Sequence, residues 1–177
     1  MIQLTGIPEL ETERLILRGP LTSDFELWAE CAASDRARYI GGPLDRGLAW
    51  RGFCHMTGLW LHRGYPMFVF ADKVTGQALG MAGPWFPEGW PEPEIGWTIW
   101  ARAAEGKGYA YEAGPAARRW AYEALGWTTA ISLIAEGNAR SAALATRMGA
   151  HLESTRTDQI HGQVQTWRHP GPEGVLQ

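Results

Sequence analysis

Apolar and polar positions follow two different spacings along this chain, and together they predict a mixture of strands and helices. Short apolar or alternating segments predict strands at residues 14–18, 67–71, 77–82, 94–100, 128–135, 152–157 and 163–168. Longer segments with helical spacing predict helices at about residues 24–33, 45–60, 110–125 and 138–148. The order of these elements, with a meander in the middle and a hairpin at the end, indicates an α+β or mixed-sheet fold.

Local signals refine the ends of the predicted helices. Ser23 and Glu26 have the spacing of a capping box for the first helix, and Asp45 is a candidate cap for the second. Asn138 is a candidate cap for the fourth helix. Pro115 lies inside the third helix, and we expect it to kink that helix or delay its start.

Three segments are expected to lack regular structure. Residues 83–93 contain four prolines and several aromatic residues, which predicts a stiff aromatic loop. The last two strands are expected to turn across His161-Gly162. Residues 170–177 are expected to form a loose C-terminal tail.

Composition narrows the class of protein. The chain has 177 residues, of which 45% are hydrophobic and 20% are charged, as in an ordinary single globular domain. A net charge of −3 gives no general attraction to nucleic acid or to an anionic membrane, and no signal peptide is recognisable, so we expect a cytoplasmic protein. The two cysteines and five scattered histidines have no metal-binding spacing, so no metal site is expected.

The most informative segment is the glycine-rich turn E-G-K-G-Y-A at residues 105–110, between a predicted strand and a predicted helix. Glycines allow a tight turn and a close approach of backbone to a ligand. The free N–H groups at the start of the following helix, together with its dipole, favour an anion such as a phosphate. A P-loop is disfavoured because Gly108 stands where Ser or Thr should follow Lys107. A Rossmann turn is disfavoured because Tyr111 replaces its third glycine.

The same turn resembles the acyl-coenzyme A turn of the GNAT N-acetyltransferase superfamily, commonly written Q/R-x-x-G-x-G/A. The strand at 94–100, the strand at 131–135, the N-A-R-S segment at 138–141 and the M-G-A segment at 148–150 occur in the order typical of that superfamily. The opening E-T-E-R-L-I-L-R, at 11–18, is similar to the first strand of its Rim-type branch, which includes enzymes that acetylate ribosomal-protein N-termini. The resemblance covers roughly residues 9–169, which we take as the domain.

This resemblance implies a fold and an activity. The expected fold is a single domain with a mixed, mostly antiparallel sheet of about seven strands, splayed in the middle and flanked by about four helices. The expected activity is direct acetyl transfer from acetyl-CoA to a primary amine, on a protein N-terminus or a small molecule, within a ternary complex. A homodimer is a further expectation from the family.

The resemblance also assigns site residues. Pantetheine would fill the gap in the sheet, and the pyrophosphate would lie on the glycine turn. The cofactor-binding residues would be Trp97, Thr98, Ile99, Gly106, Lys107, Gly108, Tyr109, Ala110, Asn138 and Ser141. Glu94 is the candidate general base, acting through water, and Ser141 is the candidate proton donor to the leaving thiolate. The acceptor pocket would be lined by Trp85, Phe86 and Trp90.

Other interpretations stay open at this point. Glu94 is also compatible with a solvated carboxylate at a strand end, Ser141 with a helix cap, and the aromatic loop with a satellite core or a dimer contact. Glu105 replaces the usual Gln or Arg, and we expect its side chain to point away from the phosphates, toward backbone donors. Many relatives carry a tyrosine where this chain has Ala145. A non-catalytic acyl-CoA sensor and an aromatic-loop interaction module are therefore the alternative functions.

Overall fold

The computed structural model describes residues 5–158 and 162–176, and all structural statements below concern these residues. The strands are β1 (Leu10–Glu11), β2 (Leu15–Arg18), β3 (Phe68–Asp72), β4 (Ala78–Trp85), β5 (Glu94–Ile99), β6 (Ile131–Ala135), β7 (His151–Asp158) and β8 (Gly162–Arg168). The helices are α1 (Phe25–Ala32), α2 (Arg46–Arg63), α3 (Tyr109–Ala124) and α4 (Ala139–Arg147).

These strands form one sheet in the order β1-β2-β3-β4-β5-β6-β8-β7. Neighbouring strands are antiparallel except β5 and β6, which are parallel. The parallel pair has a single register contact, Glu94 with Ile131, so the sheet is open between the remaining lengths of the two strands. The structure confirms the α+β class and the splayed, mostly antiparallel sheet, and it adds the two-residue strand β1 to the predicted set.

Helices cover both faces of the sheet. Val69 of β3 joins the buried cluster formed with α1 and α2, which includes Trp28 and Phe53. Phe68 and Phe70, its neighbours in β3, join the cluster formed with α3. Since successive side chains of a strand point to opposite faces, the two clusters lie on opposite sides of the sheet. No helix in the described ranges combines the length and the apolar character needed to cross a membrane.

The predicted capping box at the start of α1 is wrong. The carboxylate of Asp24 accepts a hydrogen bond from the Leu21 N–H (2.8 Å) and binds Arg18 (2.7 Å), so Asp24, and not Ser23, organises this entry. Glu26 points outward and pairs with Arg46 instead. The predicted cap of α2 is confirmed, because Asp45 accepts a hydrogen bond from the Leu48 N–H at 2.8 Å.

Two prolines behave differently from the expectations. α3 begins directly after Gly108 and continues through Pro115, so this proline does not delay the helix. β4 runs on through Pro84 to Trp85, although both were assigned to the irregular loop. The ladder between β3 and β4 ends at Phe68 and Ala82, so Pro84 lies beyond the end of β3. The lack of an N–H at Pro84 therefore leaves no hydrogen bond to β3 unmade.

The C-terminal part of the chain is more ordered than expected. β7 and β8 form the predicted antiparallel hairpin, while His161 of its predicted turn lies outside the described residues. The tail that follows contains a short turn at Pro172–Gly174 and is held on α3. There, the Tyr122 hydroxyl donates to the Pro170 carbonyl (2.8 Å), and Arg119 donates to the Val175 carbonyl (3.1 Å).

Candidate active site

The gap between β5 and β6, which we call the split, begins where the backbone ladder between these strands stops. The N–H of Ile131 donates to the carbonyl of Pro93 at 2.9 Å. In a regular parallel ladder the hydrogen bonds are evenly spaced, and the next one from β6 would join the Leu133 N–H to the Ile95 carbonyl. Neither group makes that bond here.

Two side chains take the place of this missing backbone bond. The Leu133 N–H donates to Oε1 of Glu94 at 3.1 Å, and the Ser132 hydroxyl donates to the Ile95 carbonyl at 2.6 Å. Both backbone groups are therefore satisfied without the strands approaching each other. We call this region, formed by Glu94, Ile95, Ser132 and Leu133, the closed end of the split.

Glu94 is buried at this closed end, with 7% of its surface exposed. Its other carboxylate oxygen, Oε2, accepts a hydrogen bond from the indole N–H of Trp90 at 2.6 Å. Burial raises the pKa of Glu94 to about 7, against the opposing effect of the hydrogen bonds from Leu133 and Trp90. The interpretation of Glu94 as a solvated carboxylate is wrong, and its pKa suits proton transfer near neutral pH.

The open side of the split is lined by the later residues of β5. Backbone groups alternate sides along a strand, and Pro93 and Ile95 present their carbonyls to β6. Trp97 and Ile99 therefore face the split as well, whereas Thr98 turns its backbone toward Met81 of β4. The carbonyl of Ile99 is already bound by Arg36 at 2.9 Å. Trp97 thus provides the backbone that faces the gap, without a ladder partner on β6.

The glycine turn at the far end of β5 is open toward solvent. Gly106 and Gly108 have φ angles of 72° and 81°, and Gly108 immediately precedes α3. A Cβ atom built on Gly106 would meet no heavy atom within 4 Å. The N–H groups of the first turn of α3 have no partners within the helix, so this open surface can accept a phosphate.

Arg14 supports this turn from the side. Its Nη1 donates to the Lys107 carbonyl at 3.1 Å, and its guanidinium lies 4.3 Å from the centroid of the Tyr109 ring. Its Nε donates to Glu112 in the first turn of α3 at 2.6 Å. Tyr109 therefore covers the start of α3 together with Arg14, while the side chain of Lys107 is exposed.

Glu105, the departure from the family motif, is neutralised by two arginines. Arg36 Nε donates to Oε1 at 2.5 Å, and Arg140 Nη1 donates to Oε2 at 2.9 Å. The expectation of backbone donors is wrong, because guanidinium groups occupy both oxygens. Burial acts to raise the pKa of Glu105, but the hydrogen bonds from Arg36 and Arg140 outweigh it and the pKa is lowered. A carboxylate beside the turn is thus paired with positive charge.

The start of α4 contacts Trp97, the residue of β5 whose backbone faces the split. Asn138 caps this helix, since its Oδ1 accepts a hydrogen bond from the Ser141 N–H at 3.3 Å. The hydroxyl of Ser141 accepts one from the indole N–H of Trp97, also at 3.3 Å. Ala145, where many relatives carry a tyrosine, is fully buried in the cluster with Ile134.

The aromatic residues divide into two groups. The rings of Trp85 and Trp90 meet edge to face, with centroids 6.3 Å apart, and Trp90 binds Glu94 directly. Phe86 lies farther out, with the guanidinium of Arg63 at 5.8 Å from its ring. The structure therefore brings Trp85 and Trp90 to the predicted base and leaves Phe86 beside the end of α2.

Sequence reasoning missed three residues that make hydrogen bonds at the candidate site: Arg14, Arg36 and Ser132. Arg36 lies on a short turn after α1 and becomes important only because that turn packs against the end of β5. Ser132 is a single polar residue in an apolar strand, and that exception to the pattern was the one available signal. Arg14 was read only as the polar flank of a strand.

The fold of this chain matches that of known proteins. Residues 14–151 match the family described as the acetyltransferase (GNAT) domain. The chain belongs to the GNAT acetyltransferase family. The GNAT fold is shared with the crystal structure of an acetyltransferase from Agrobacterium tumefaciens, which is 34% identical, with a TM-score of 0.84 over 96% of this chain and 98% of that chain.

Two further GNAT structures extend the comparison. A putative GNAT-family acetyltransferase from Bordetella pertussis is 26% identical, with a TM-score of 0.76 over 92% of this chain and 99% of that chain. The ribosomal L7/L12 alpha-N-protein acetyltransferase RimL, in complex with coenzyme A, is 14% identical, with a TM-score of 0.72 over 93% and 99%. At that identity the likeness to RimL shows the fold alone.

Acetyl-CoA is the co-substrate that fits this GNAT fold. The observed features fit it, because the open glycine turn can accept phosphates and the unpaired edge at Trp97 can accept amides of an extended chain. In residues 5–158 and 162–176, no three His, Cys, Asp or Glu side chains are grouped so that they could hold a metal ion.

Proposed function

We propose that this chain transfers the acetyl group of acetyl-CoA to a primary amine, with Glu94 as the general base. The observation that carries this proposal is the position of Glu94, buried at the closed end of the split with a pKa of about 7. A carboxylate with that pKa is ionised in about half of the molecules at neutral pH, and it can accept a proton from an amine near that pH.

The proposed cofactor contacts follow the geometry of the split. The N–H groups from Gly106 to Ala110 hold the pyrophosphate, and the backbone carbonyl of Trp97 accepts a hydrogen bond from a pantetheine amide. Ile99 borders the same gap, and Lys107 and Tyr109 flank the phosphates. The expected pairing of the Thr98 backbone with pantetheine is wrong, because that backbone is paired with Met81 of β4. Asn138 and Ser141 contact the ligand from the α4 side. When bound, acetyl-CoA supplies an activated thioester carbonyl for attack by the amine.

Three groups of this chain assist the transfer. Glu94 takes the proton from the attacking amine, directly or through one water. The N–H of Trp97 donates a hydrogen bond to the negative charge that develops on the carbonyl oxygen. Ser141 already accepts a hydrogen bond from the Trp97 indole, so its own hydroxyl proton is directed elsewhere. That proton can pass to the leaving thiolate while Ser141 takes a proton from solvent water.

The acceptor amine approaches along the aromatic residues in this proposal. Trp85 and Trp90 form the wall next to Glu94, and Phe86 extends it toward α2. Rigid aromatic walls bind flat or apolar groups with little loss of side-chain entropy. A protein N-terminus and a small-molecule amine both remain candidate acceptors. The homodimer and the cytoplasmic location expected from the sequence stay predictions.

The proposal is tested by calorimetric titration with acetyl-CoA, followed by amine screening for thiol release. Gly108→Trp places a large side chain where the phosphates should bind, and Gly126→Trp is its matched control. Both glycines have positive φ angles, 81° and 68°, and they lie at opposite ends of α3. Both variants therefore carry similar backbone strain, but only Gly108→Trp blocks the turn.

We expect micromolar binding by the wild type and by Gly126→Trp, and loss of binding by Gly108→Trp. Thiol release with a primary amine then establishes the transferase. Absence of acetyl-CoA binding to the wild-type protein would contradict the proposal. Binding without thiol release for any amine would instead support the acyl-CoA sensor.

A further inference from the structure

A buried chain of polar side chains lies directly behind the closed end of the split. Its members, Ser132, His169 and Arg118, have exposed fractions of 2%, 3% and 6%. Nε2 of His169 is 2.9 Å from the Ser132 hydroxyl, and Nδ1 is 2.9 Å from Nη1 of Arg118. Arg118 is also anchored on the Met148 carbonyl at 2.8 Å. These residues come from β6, the segment after β8, and α3.

The direction of every hydrogen bond in this chain is fixed by chemistry. The arginine can only donate, so Nδ1 of His169 is unprotonated and Nε2 carries the proton. Nε2–H therefore donates to the Ser132 oxygen. The single hydroxyl proton of Ser132 is then committed to the Ile95 carbonyl, at 2.6 Å. Burial, together with Arg118 and Arg168, lowers the pKa of His169 to about 3, so the imidazole is neutral throughout the physiological range.

We propose that Ser132 and His169 are positioning residues, which hold β5 and β6 apart at the closed end of the split and so keep the Leu133 N–H on Glu94. The role in catalysis rests on the proposed function, whereas the role in geometry does not. The Ile95 carbonyl has two candidate donors, the Ser132 hydroxyl and the Leu133 N–H. Because His169 holds the Ser132 hydroxyl on the Ile95 carbonyl, the Leu133 N–H donates to Glu94 instead.

Removal of the Ser132 hydroxyl therefore has a defined consequence. The Ile95 carbonyl loses its partner in a buried site, and the Leu133 N–H can satisfy it by extending the parallel ladder. The strands close by one step, and Glu94 loses one of its two donors. Since the Leu133 hydrogen bond lowers the pKa of Glu94, its loss raises that pKa further. The other group that acts on Glu94 is the Trp90 indole, while the charges of Arg118 and Arg168 act on His169.

The test is an NMR pH titration of the Leu133 amide proton, which reports directly on the ionisation of the carboxylate that it contacts. We compare the wild type with Ser132→Ala and His169→Leu, which break the chain. His169→Gln keeps an N–H donor for Ser132. Thr57→Val is the matched control, because it removes another partly buried hydroxyl from a backbone carbonyl, that of Phe53 on α2, away from His169 and Arg118.

We expect the Leu133 amide to titrate with a midpoint near 7 in the wild type, in His169→Gln and in Thr57→Val. We expect the pH-dependent change in the Leu133 amide chemical shift to fall by about half or more in Ser132→Ala and His169→Leu. The contact with the ionising carboxylate causes most of that change. The same two variants should lower kcat about tenfold or more at pH 8, because the base is misplaced. The acid limb in the pH dependence of kcat should move to higher pH in both variants, which a general loss of stability would not cause.

An unchanged Leu133 titration in both Ser132→Ala and His169→Leu would overturn the proposal, as would an equal effect of Thr57→Val. The two broken-chain variants are independent, so failure of one to fold leaves the other as the test. If the Leu133 titration is altered in Ser132→Ala and His169→Leu as expected but no amine supports thiol release, the positioning role stands and the proposed function fails.

Discussion

The pKa of Glu94 makes a quantitative prediction about folding stability. In the unfolded chain this carboxyl group has its ordinary pKa of 4.5, whereas in the folded protein the pKa is about 7. Between these two pH values the folded state keeps a proton that the unfolded state has lost. The free energy of unfolding therefore falls as the pH rises through this window. The advantage is fully present below pH 4.5 and is lost above pH 7.

The size of this effect follows from the two pKa values. A pKa difference of about 2.5, at about 1.4 kcal/mol for each pKa unit, corresponds to about 3 kcal/mol of stability lost across the window. Glu94 is 7% exposed, so solvent screening does not reduce this value in the way it would for a surface group. Glu94→Gln removes the titration while keeping the shape of the side chain.

Urea unfolding of the wild type and Glu94→Gln, at closely spaced pH values from 4.5 to 8, isolates this contribution. The difference between the two proteins should change by about 3 kcal/mol across the window, with the wild type becoming relatively less stable as the pH rises. Glu88→Gln is the control, because the Glu88 side chain is 98% exposed in the same loop region. A difference that stays constant within about 0.5 kcal/mol, close to the error of such extrapolations, would refute a raised pKa at Glu94.

Two further predictions concern the acceptor wall and the sheet. Trp85→Ala should raise the KM for the acceptor amine about tenfold, because it removes a ring next to Trp90, and should leave the calorimetric Kd for acetyl-CoA unchanged; a loss of cofactor binding would contradict this role. Gly80→Ala should lower the free energy of unfolding by about 3 kcal/mol, since a Cβ there would overlap the Thr98 carbonyl oxygen and lie 2.6 Å from the Phe70 ring. Gly58→Ala is the matched control in thermal unfolding, because a Cβ there meets nothing within 4 Å. We expect it to raise the free energy of unfolding by about 0.5 to 1 kcal/mol. Equal effects of the two changes would contradict the packing described here.

Much of this fold could be predicted from local sequence because its elements carry their own signals. The strand before the glycine turn and the helix after it are marked by spacing, and Asp45 and Asn138 cap their helices as expected. The split between β5 and β6 was implied by family resemblance, and Glu94 was chosen because it starts the strand next to that gap. The burial of Glu94 was not predictable, because it depends on Trp90 folding back over the strand end.

The incorrect predictions share a physical cause. Contacts with residues distant in sequence decide between local structures that the nearby sequence favours equally. Ser23 and Asp24 are both good helix-capping residues, and Arg18 selects Asp24. Pro84 reads as a strand breaker, but the end of β3 makes its missing N–H harmless. His169 and Ser132 are far apart in sequence and meet only when β6 and the segment after β8 become neighbours.

The most direct test of the account is the pH dependence of kcat/KM for thiol release, measured for the wild type and Glu94→Gln with the best amine from the screen. We predict an acid limb near pH 7 in the wild type, governed by Glu94 together with the ionisation of the free amine. Glu94→Gln should lose the limb due to Glu94 and lower kcat/KM by about 10² or more. A Glu94→Gln enzyme with the wild-type rate and the wild-type pH profile would contradict the assignment of Glu94 as the base.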